Sequence, residues 1–368
     1  MKILIATEPD DIHALSVKLA IESAGHSCDL WFPADIPSLQ MHGISISNEN
    51  FDWVLKYEHS QKLMDDHFDV VWWRRPRKPY IPNDVNKNDA ECIRKENISF
   101  YNSIPLILGT NAWWINPCES IKYANSKIYQ LKQAPQFNLK IPPTLISNSP
   151  EMIKTFIKVH ETVIYKSFCP HNWYENDILK FSYTRKVSLD HLPGDEMLQM
   201  TPGIFQKQIN KQYELRVTCF GDYLVAVKIR SQENPKSLTD WRIAATHELK
   251  LEPYVLSSAL AANIRNFMRH LGIVFGCFDF IATPDDEIYF LEVNEQGQFL
   301  WIEDILPEVR MLDIFVQFLL NKSSSFQWNP TPNPMQLCHY EDQVAQLAKA
   351  QMLQHVYLNG IKKTKALA

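Results

Sequence analysis

Three oxygen-bearing side chains in the last third of the sequence form the pattern that most specifically indicates chemistry. Asp279 lies in Phe278-Asp279-Phe280, and Glu292 and Asn294 follow in Leu291-Glu292-Val293-Asn294. Two strands joined by a short turn would set Asp279 opposite Glu292, and alternation along a strand puts Glu292 and Asn294 on one face. Hard oxygen ligands of this kind suit a Mg²⁺ ion that bridges nucleotide phosphates, since Mg²⁺ takes only one or two carboxylates from protein.

The alternative is a solvated face of an amphipathic hairpin. Phe278, Phe280, Phe290 and Val293 make both faces of the predicted strands apolar. Carboxylates buried in such surroundings are costly unless a cation pairs with them. The pattern therefore favours the metal interpretation.

Basic residues supply the complementary charge. Lys127, on a predicted helix, and Lys166, at the end of a predicted strand, are placed where phosphates could be held, although a lysine that closes an apolar strand often only reaches for solvent. Arg216 and Arg230 fall on neighbouring strands of a predicted hairpin, and a guanidinium suits bidentate contact with a phosphoryl oxygen. Their alternative is a surface ladder of ion pairs.

The elements that must position these residues begin with an open α/β layer. Short apolar runs alternate with amphipathic stretches in the first hundred residues, and we place the domain boundary near residue 110. The turn after the first strand, residues 7–11, contains no glycine, which argues against a dinucleotide-binding fold. The predicted strands are 2–6, 27–32, 69–73 and 105–108, and the predicted helices are 11–24 and 89–102.

Antiparallel strands dominate the next part of the chain. We predict a small central domain over 111–200, an antiparallel-sheet domain over 201–321, and a linker with a helical tail over 322–368, so the fold class is α/β in the α+β sense. The predicted strands are 163–168, 178–186, 203–209, 215–220, 223–229, 275–282 and 287–293. The predicted helices are 123–133, 150–159, 253–271, 304–320 and, in the tail, 336–358.

Composition excludes several classes of protein. The 368 residues include 37 Lys and Arg against 42 Asp and Glu, a net charge of −5, so no basic footprint of a nucleic-acid binder is present. Seven scattered cysteines without a C-x-x-C pair predict free thiols and no zinc site. The start of the chain lacks a basic segment before its apolar run, and no stretch approaches the roughly 20 apolar residues of a membrane span, so we expect a cytoplasmic protein.

Motifs along residues 1–320 resemble the ATP-grasp superfamily, which includes glutathione synthetase and the ligases that add glutamate to ribosomal protein termini. The run from Phe205 to Val217, Arg230, and the Asp279 and Glu292 motifs carry this resemblance. A finer resemblance is to the ATP-grasp peptide maturases that build microviridin-type graspetides. It rests on residues 71–76, 114–117, 125–127, 141–146 and above all 291–303.

The resemblance implies ATP and Mg²⁺, with two ions, as cofactors, and it implies a role for each matching residue. Lys127 and Lys166 would hold the α- and β-phosphates, and Arg216 and Arg230 would stabilise the transferred phosphoryl group. The adenine-facing hinge would comprise Gln206, Lys207, Gln208 and Ile209, with Glu214 in the same nucleotide site, and the metals would be bound by Asp279, Glu292 and Asn294. Lys207 stands where relatives commonly have an acidic residue.

The implied activity is ATP-dependent activation of Asp or Glu side chains in a ribosomal precursor peptide as acyl phosphates. Ser, Thr or Lys side chains of the same peptide would then close ester or amide rings, with release of ADP and phosphate. Arg242 in Asp240-Trp241-Arg242 is a candidate for contact with the substrate carboxylate, and Asp195 and Glu196 are candidates for binding a basic leader segment.

Other interpretations stay open at this point. Arg74 and Arg75 could dock substrate or lie at a domain interface, and relatives of this kind are often homodimers. An intermolecular carboxylate-amine ligase would share the same ATP site, and a catalytically silent peptide-binding scaffold would share the fold.

Overall fold

A four-stranded parallel sheet forms the N-terminal part of the chain. The computed structural model describes residues 1–57, 60–63, 68–168, 172–175, 178–181 and 183–359. The first elements are β1 (Lys2–Ala6), α1 (Ile12–Ser23), β2 (Ser27–Trp31), β3 (Met41–Ile46), β4 (Phe51–Tyr57), β5 (Ser60–Leu63), β6 (Val70–Trp73), α2 (Ala90–Ile107) and β7 (Trp113–Ile115). The sheet order is β2-β1-β6-β7, and β3, β4 and β5 form a separate small sheet that sequence patterns did not predict.

Burial of the strands and capping of the first helix account for the secondary structure of the N-terminal part. β1 and β6 are almost entirely buried, as expected for parallel strands covered on both faces. The Asp11 side chain accepts a bond from Ala14 N and so caps α1. The predicted strand 105–108 is wrong, because Tyr101, Ile104 and Leu108 are all buried at helical spacing and the helix continues through Pro105 in its last turn.

The middle of the chain forms a second four-stranded sheet, of order β12-β9-β13-β8. Its elements are α3 (Cys118–Ala124), α4 (Lys127–Gln133), β8 (Thr144–Ser147), α5 (Pro150–Val159), β9 (Val163–Lys166), β10 (Asn172–Glu175), β11 (Ile178–Phe181), β12 (Arg185–Val187), α6 (Asp195–Met200) and β13 (Gly203–Lys207). The helix predicted over 123–133 is two helices, since the Ser126 side chain accepts from Tyr129 N and starts α4 anew. The strand predicted over 178–186 likewise divides into β11 and β12.

A five-stranded antiparallel sheet, of order β16-β15-β14-β17-β18, follows. Its elements are β14 (Tyr213–Phe220), β15 (Tyr223–Ile229), β16 (Leu251–Tyr254), α7 (Ser258–Leu271), β17 (Phe275–Ala282), β18 (Ile288–Asn294), α8 (Leu300–Ile305) and α9 (Met311–Asn321). The predicted helix 253–271 starts only at Ser258, because Pro253 and Tyr254 pair with β15. The predicted helix 304–320 is wrong as one element: α8 ends before Pro307 and α9 begins at Met311.

The C-terminal segment returns to the N-terminal sheet. Its helix α10 (Glu341–Gln354) packs against α1, and it is shorter than the predicted 336–358 because a 3₁₀ turn occupies Leu337–His339. Phe326 and Leu337 are buried in the main core. Within the described residues six cysteines are free thiols, and none of the helices there combines the length and apolar character that crossing a membrane requires.

Candidate active site

The acidic centre lies on three neighbouring strands of the five-stranded sheet. Arg216 on β14 is directly opposite Asp279 on β17, which in turn is opposite Glu292 on β18. Arg216 Nη1 donates to Asp279 Oδ1 at 2.9 Å and to Oδ2 at 2.8 Å. Asn294 Nδ2 donates to Asp279 Oδ2 at 3.3 Å. The residues that the sequence selects for metal binding therefore lie together, with Arg216 beside them.

The two carboxylates of this centre respond differently to burial. Burial raises the pKa of Asp279, Arg216 opposes the rise, and the negative charge of Glu292 adds to it. Burial would raise the pKa of Glu292 as well, but Lys127, Arg242 and Lys166 lower that pKa to about 2. The pKa of Glu292 is thus held low and that of Asp279 is raised, so a further cation beside Asp279 would stabilise its charged form.

The two lysines predicted to hold phosphates both reach this centre. Lys127, the first residue of α4, places Nζ 2.9 Å from Glu292 Oε2. Lys166, at the end of β9, donates to Gln206 Oε1 at 2.9 Å, and Gln206 Nε2 donates to Thr144 Oγ1 at the same distance. Burial lowers the pKa of Lys166, and Lys127 and Arg242 lower it further, so the site is rich in positive charge. These positively charged side chains lie close enough together to interact with a polyphosphate without rearrangement.

A small, partly open cavity lies between the central sheet and the five-stranded sheet. All four predicted hinge residues line it: Gln206, Lys207, Gln208 and Ile209, together with Pro142, Ile164, Lys211, Thr239 and Ile281. Backbone Lys207 N and Gln208 N bond to Pro143 O and Thr162 O, which fixes the hinge. A mixed apolar and polar cavity beside a cationic cluster has the character of a nucleotide base site.

Lys211 is a site residue that the sequence reasoning missed. Its Nζ donates to Glu214 Oε1 at 2.6 Å and to Thr239 O at 3.2 Å, and both Lys211 and Glu214 are buried. Burial raises the pKa of Glu214, and Lys211 works against that rise. The spacing of three residues between Lys211 and Glu214 was the available signal.

The Asp240-Trp241-Arg242 segment forms a fixed corner. Arg242 Nε and Nη2 bind Asp240 Oδ1 and Oδ2 at 2.8 and 2.7 Å, and Thr184 N donates to Asp240 at 3.2 Å. Trp241 stacks on Trp301, with ring centroids 5.0 Å apart. Burial would lower the pKa of Arg242, but Asp240, Glu292 and Asp279 raise it, so Arg242 is in electrostatic contact with the acidic centre.

Some predicted site residues make other contacts. Arg230 forms a two-bond pair with Glu252 at 3.0 and 2.9 Å, the ion-pair ladder that the sequence left open. Asp195 binds Lys154 at 2.5 Å on the exposed first turn of α6, and Glu196 next to it is exposed.

The two N-terminal arginines separate in role. Arg75 Nη2 binds Glu8 Oε1 at 3.1 Å and is one-third exposed. Arg74 is fully buried: its Nε donates to Asp11 Oδ2 at 3.2 Å, and its Nη1 donates to Gln296 O and Gly297 O. Of the two options that the sequence left for Arg74, the structure therefore supports the domain interface.

The donor set of the acidic centre fits Mg²⁺. Asp279, Glu292 and Asn294 present hard oxygen donors on two paired strands, and a further cation there would oppose the rise in the pKa of Asp279 that burial and Glu292 cause. Among the described residues no three His, Cys, Asp or Glu side chains converge as a protein-only metal site. Two carboxylates and an amide suit an ion that takes its remaining ligands from phosphates and water.

Solved structures with the same fold are ATP-grasp proteins. A Chryseobacterium gregarium RiPP-associated ATP-grasp ligase, in complex with ADP and a leader and core peptide, is 25% identical, with a TM-score of 0.78 over 88% of this chain and 97% of that one. Two Microcystis aeruginosa macrocyclases also match. MdnC, bound with precursor peptide MdnA, is 26% identical with a TM-score of 0.74 over 87% of this chain and 100% of that one, and MdnB is 25% identical with a TM-score of 0.72 over 87% and 98%. No family model and no curated protein sequence matches this chain significantly.

Proposed function

Since this chain is an ATP-grasp ligase, we propose that it activates carboxylate side chains of a ribosomal precursor peptide and closes them into rings. The observation that carries the proposal is that Arg216, Asp279, Glu292 and Lys127 lie together beside the hinge cavity. One solved neighbour of this chain is in complex with ADP and a leader and core peptide. This arrangement binds a nucleotide and accepts a second, carboxylate-bearing substrate.

Different residues would bind the nucleotide and stabilise the transferred phosphoryl group. The hinge, Gln206 to Ile209, would hold adenine, and Lys127 and Lys166 would hold the α- and β-phosphates. A carboxylate oxygen of the substrate attacks the γ-phosphorus, the bond from that phosphorus to the bridging oxygen breaks, and ADP leaves. Arg216 would stabilise charge on the transferred group, because its guanidinium is already fixed by Asp279.

Asp279, Glu292 and Asn294 would hold Mg²⁺, and we propose two ions. When bound, Mg²⁺ supplies positive charge that neutralises the phosphates. In the second step a hydroxyl or amine of the peptide attacks the acyl carbon, loses its proton, and releases phosphate. Arg242 would orient the substrate carboxylate, since Asp240 fixes its guanidinium from one side. Most of the rate gain comes from such positioning.

For the peptide we propose a basic leader held at the exposed acidic turn of Asp195 and Glu196, and an acidic core presented to Arg242. Microviridin-type ester and amide rings are the products that we expect. A homodimer and a cytoplasmic location stay predictions from the sequence, and so does the role of Arg230 in stabilising the transferred phosphoryl group.

Intact-mass spectrometry of candidate precursor peptides, incubated with enzyme, ATP and Mg²⁺, tests the proposal. We expect successive losses of one water per ring, with one ADP formed for each. Hydroxylamine then distinguishes esters, which it cleaves, from amides.

Other results would overturn the proposal. A mass gain equal to an added amino acid would show an intermolecular carboxylate-amine ligase. Nucleotide binding with no mass change in any peptide would indicate a scaffold.

A further inference from the structure

Four consecutive backbone carbonyls after β18 each accept a hydrogen bond from a side chain. We call residues 295–298 the anchored loop. Asn116 Nδ2 donates to the first carbonyl, Glu295 O, at 2.9 Å, and Arg74 Nη1 donates to the second and third. Arg216 Nη2 donates to the last, Gln298 O, at 3.0 Å. Asn116 and Arg74 each directly follow a strand of the N-terminal sheet, and Arg216 is the arginine that binds Asp279. Gln298 O also accepts from Trp301 Nε1 at 3.0 Å.

Contacts with residues of the N-terminal part hold the Arg74 side chain in place. It follows β6 directly, and its guanidinium lies 5.5 Å from the centre of the Trp72 ring. Its Nε donates to Asp11, whose carboxylate also accepts the Thr7 hydroxyl and caps α1. Burying a guanidinium is costly unless its hydrogen bonds are made. Nε and Nη1 make such bonds, while Nη2 has no partner among the described residues. The bonds from Nη1 cross to the anchored loop and so link it to the N-terminal sheet.

The anchored loop sits between two groups of the acidic centre. Asn294, which donates to Asp279, immediately precedes it, and Gln298 O at its far end fixes Arg216. A shift of the loop would therefore move Asn294 and the Arg216 guanidinium together. Misplacement of a catalytic group by about 1 Å can cost on the order of 100-fold in rate.

We propose that Arg74 is a positioning residue for phosphoryl transfer: it holds the anchored loop so that Asn294 and Arg216 stay aligned with Asp279. The inference rests on the proposed function for its kinetic readout, but its structural readout does not. Arg74 touches neither nucleotide nor peptide in this scheme and acts only through the loop.

The test compares Arg74→Gln and Arg74→Lys with the control Asp35→Asn. Asp35 is also fully buried, but it binds the tail, through His355 Nδ1 at 2.6 Å and Val356 N at 2.8 Å. We expect kcat to fall about 10- to 100-fold in Arg74→Gln while KM for ATP stays within about threefold. Lysine keeps the charge and can reach the loop carbonyls without the fork to Asp11, so Arg74→Lys should recover part of kcat.

Hydrogen exchange of residues 295–302 supplies the second readout. We expect faster exchange in Arg74→Gln than in wild type and Asp35→Asn, and loss of the protection that ADP gives in those two. Unchanged kcat, or an activity loss that follows the folded fraction as in the control, would overturn the inference.

The two proposals fail in different ways. If wild type turns over no peptide, the proposed function fails, and the exchange measurement with ADP alone decides the role of Arg74: equal loop protection in all variants would refute it. If Arg74→Gln does not fold, Arg74→Lys carries both readouts against the same control.

Discussion

Replacing Asp279 by asparagine should separate the stability of the acidic centre from its chemistry. The change removes the countercharge of Arg216, whose side chain is only 6% exposed and whose Nη1 makes both bonds to the carboxylate. Removing one partner of a buried pair costs roughly 3–5 kcal/mol. Asparagine keeps one acceptor oxygen, so we expect about 3 kcal/mol, near the lower limit of that range.

Two assays follow from this estimate. At about 2 °C per kcal/mol, Tm should fall by about 6 °C in Asp279→Asn. ADP formation with peptide should fall by at least about 100-fold, because the charge that supports phosphoryl transfer is lost. Turnover is measured at a temperature below the thermal unfolding transitions of both wild type and Asp279→Asn, so that unfolding does not contribute to the loss of rate.

A double variant sharpens the result. Combining Asp279→Asn with Arg216→Gln leaves no buried charge unpaired, so it should recover more than half of the lost Tm while turnover stays lost. Turnover within threefold of wild type in Asp279→Asn would refute the catalytic assignment. A double variant whose losses simply add would refute the ion-pair reasoning.

Four further changes test other parts of the site. Arg242→Ala should cut turnover much more than ATP affinity, and equal retention of both in kinetics and calorimetry would refute its substrate role. Burial would raise the pKa of Asp240, but Arg242 outweighs burial and lowers that pKa from 3.8 to about 2. The ionised Asp240 therefore adds about 2 kcal/mol to the free energy of unfolding above pH 4, and this contribution is lost as the pH falls towards 2. Asp240→Asn should flatten the dependence of Tm on pH over that range. Lys127→Met should weaken ATP binding by about tenfold or more in calorimetry, since a charged hydrogen bond is lost, and unchanged affinity would remove its phosphate role. Reversing charge at Asp195 and Glu196 with lysine should weaken leader binding in a titration, and unchanged affinity would remove that docking site.

Local patterns were sufficient to predict the acidic hairpin. β17 runs from Phe275 to Ala282 as predicted, and Asp279 lies opposite Glu292 as predicted. The pairing nevertheless contains an irregularity between Asp279 and Phe280, after which Phe280 pairs with Phe290. A bulge of this kind depends on the packing of both faces and not on the alternation of residue types, so the pattern could not reveal it.

Partner choice over long sequence separations was the part that the sequence could not supply. Arg230 binds Glu252 on β16, and the sequence pattern places the second half of that strand, Pro253 and Tyr254, in the predicted helix 253–271. Arg74 binds carbonyls more than 200 residues away. Backbone acceptors carry no residue-type signal, so only the folded chain reveals that bond.

The position of the tail, residues 322–368, also depends on contacts between residues far apart in the sequence. Within the tail, Leu337 N binds the buried Glu303, and Asn359 Nδ2 reaches Asp10 at 3.1 Å. These bonds join the tail to α8 and to the turn after β1. Donors of the tail therefore find their acceptors on elements far away in the sequence, so no local pattern within residues 322–368 predicts where the tail lies.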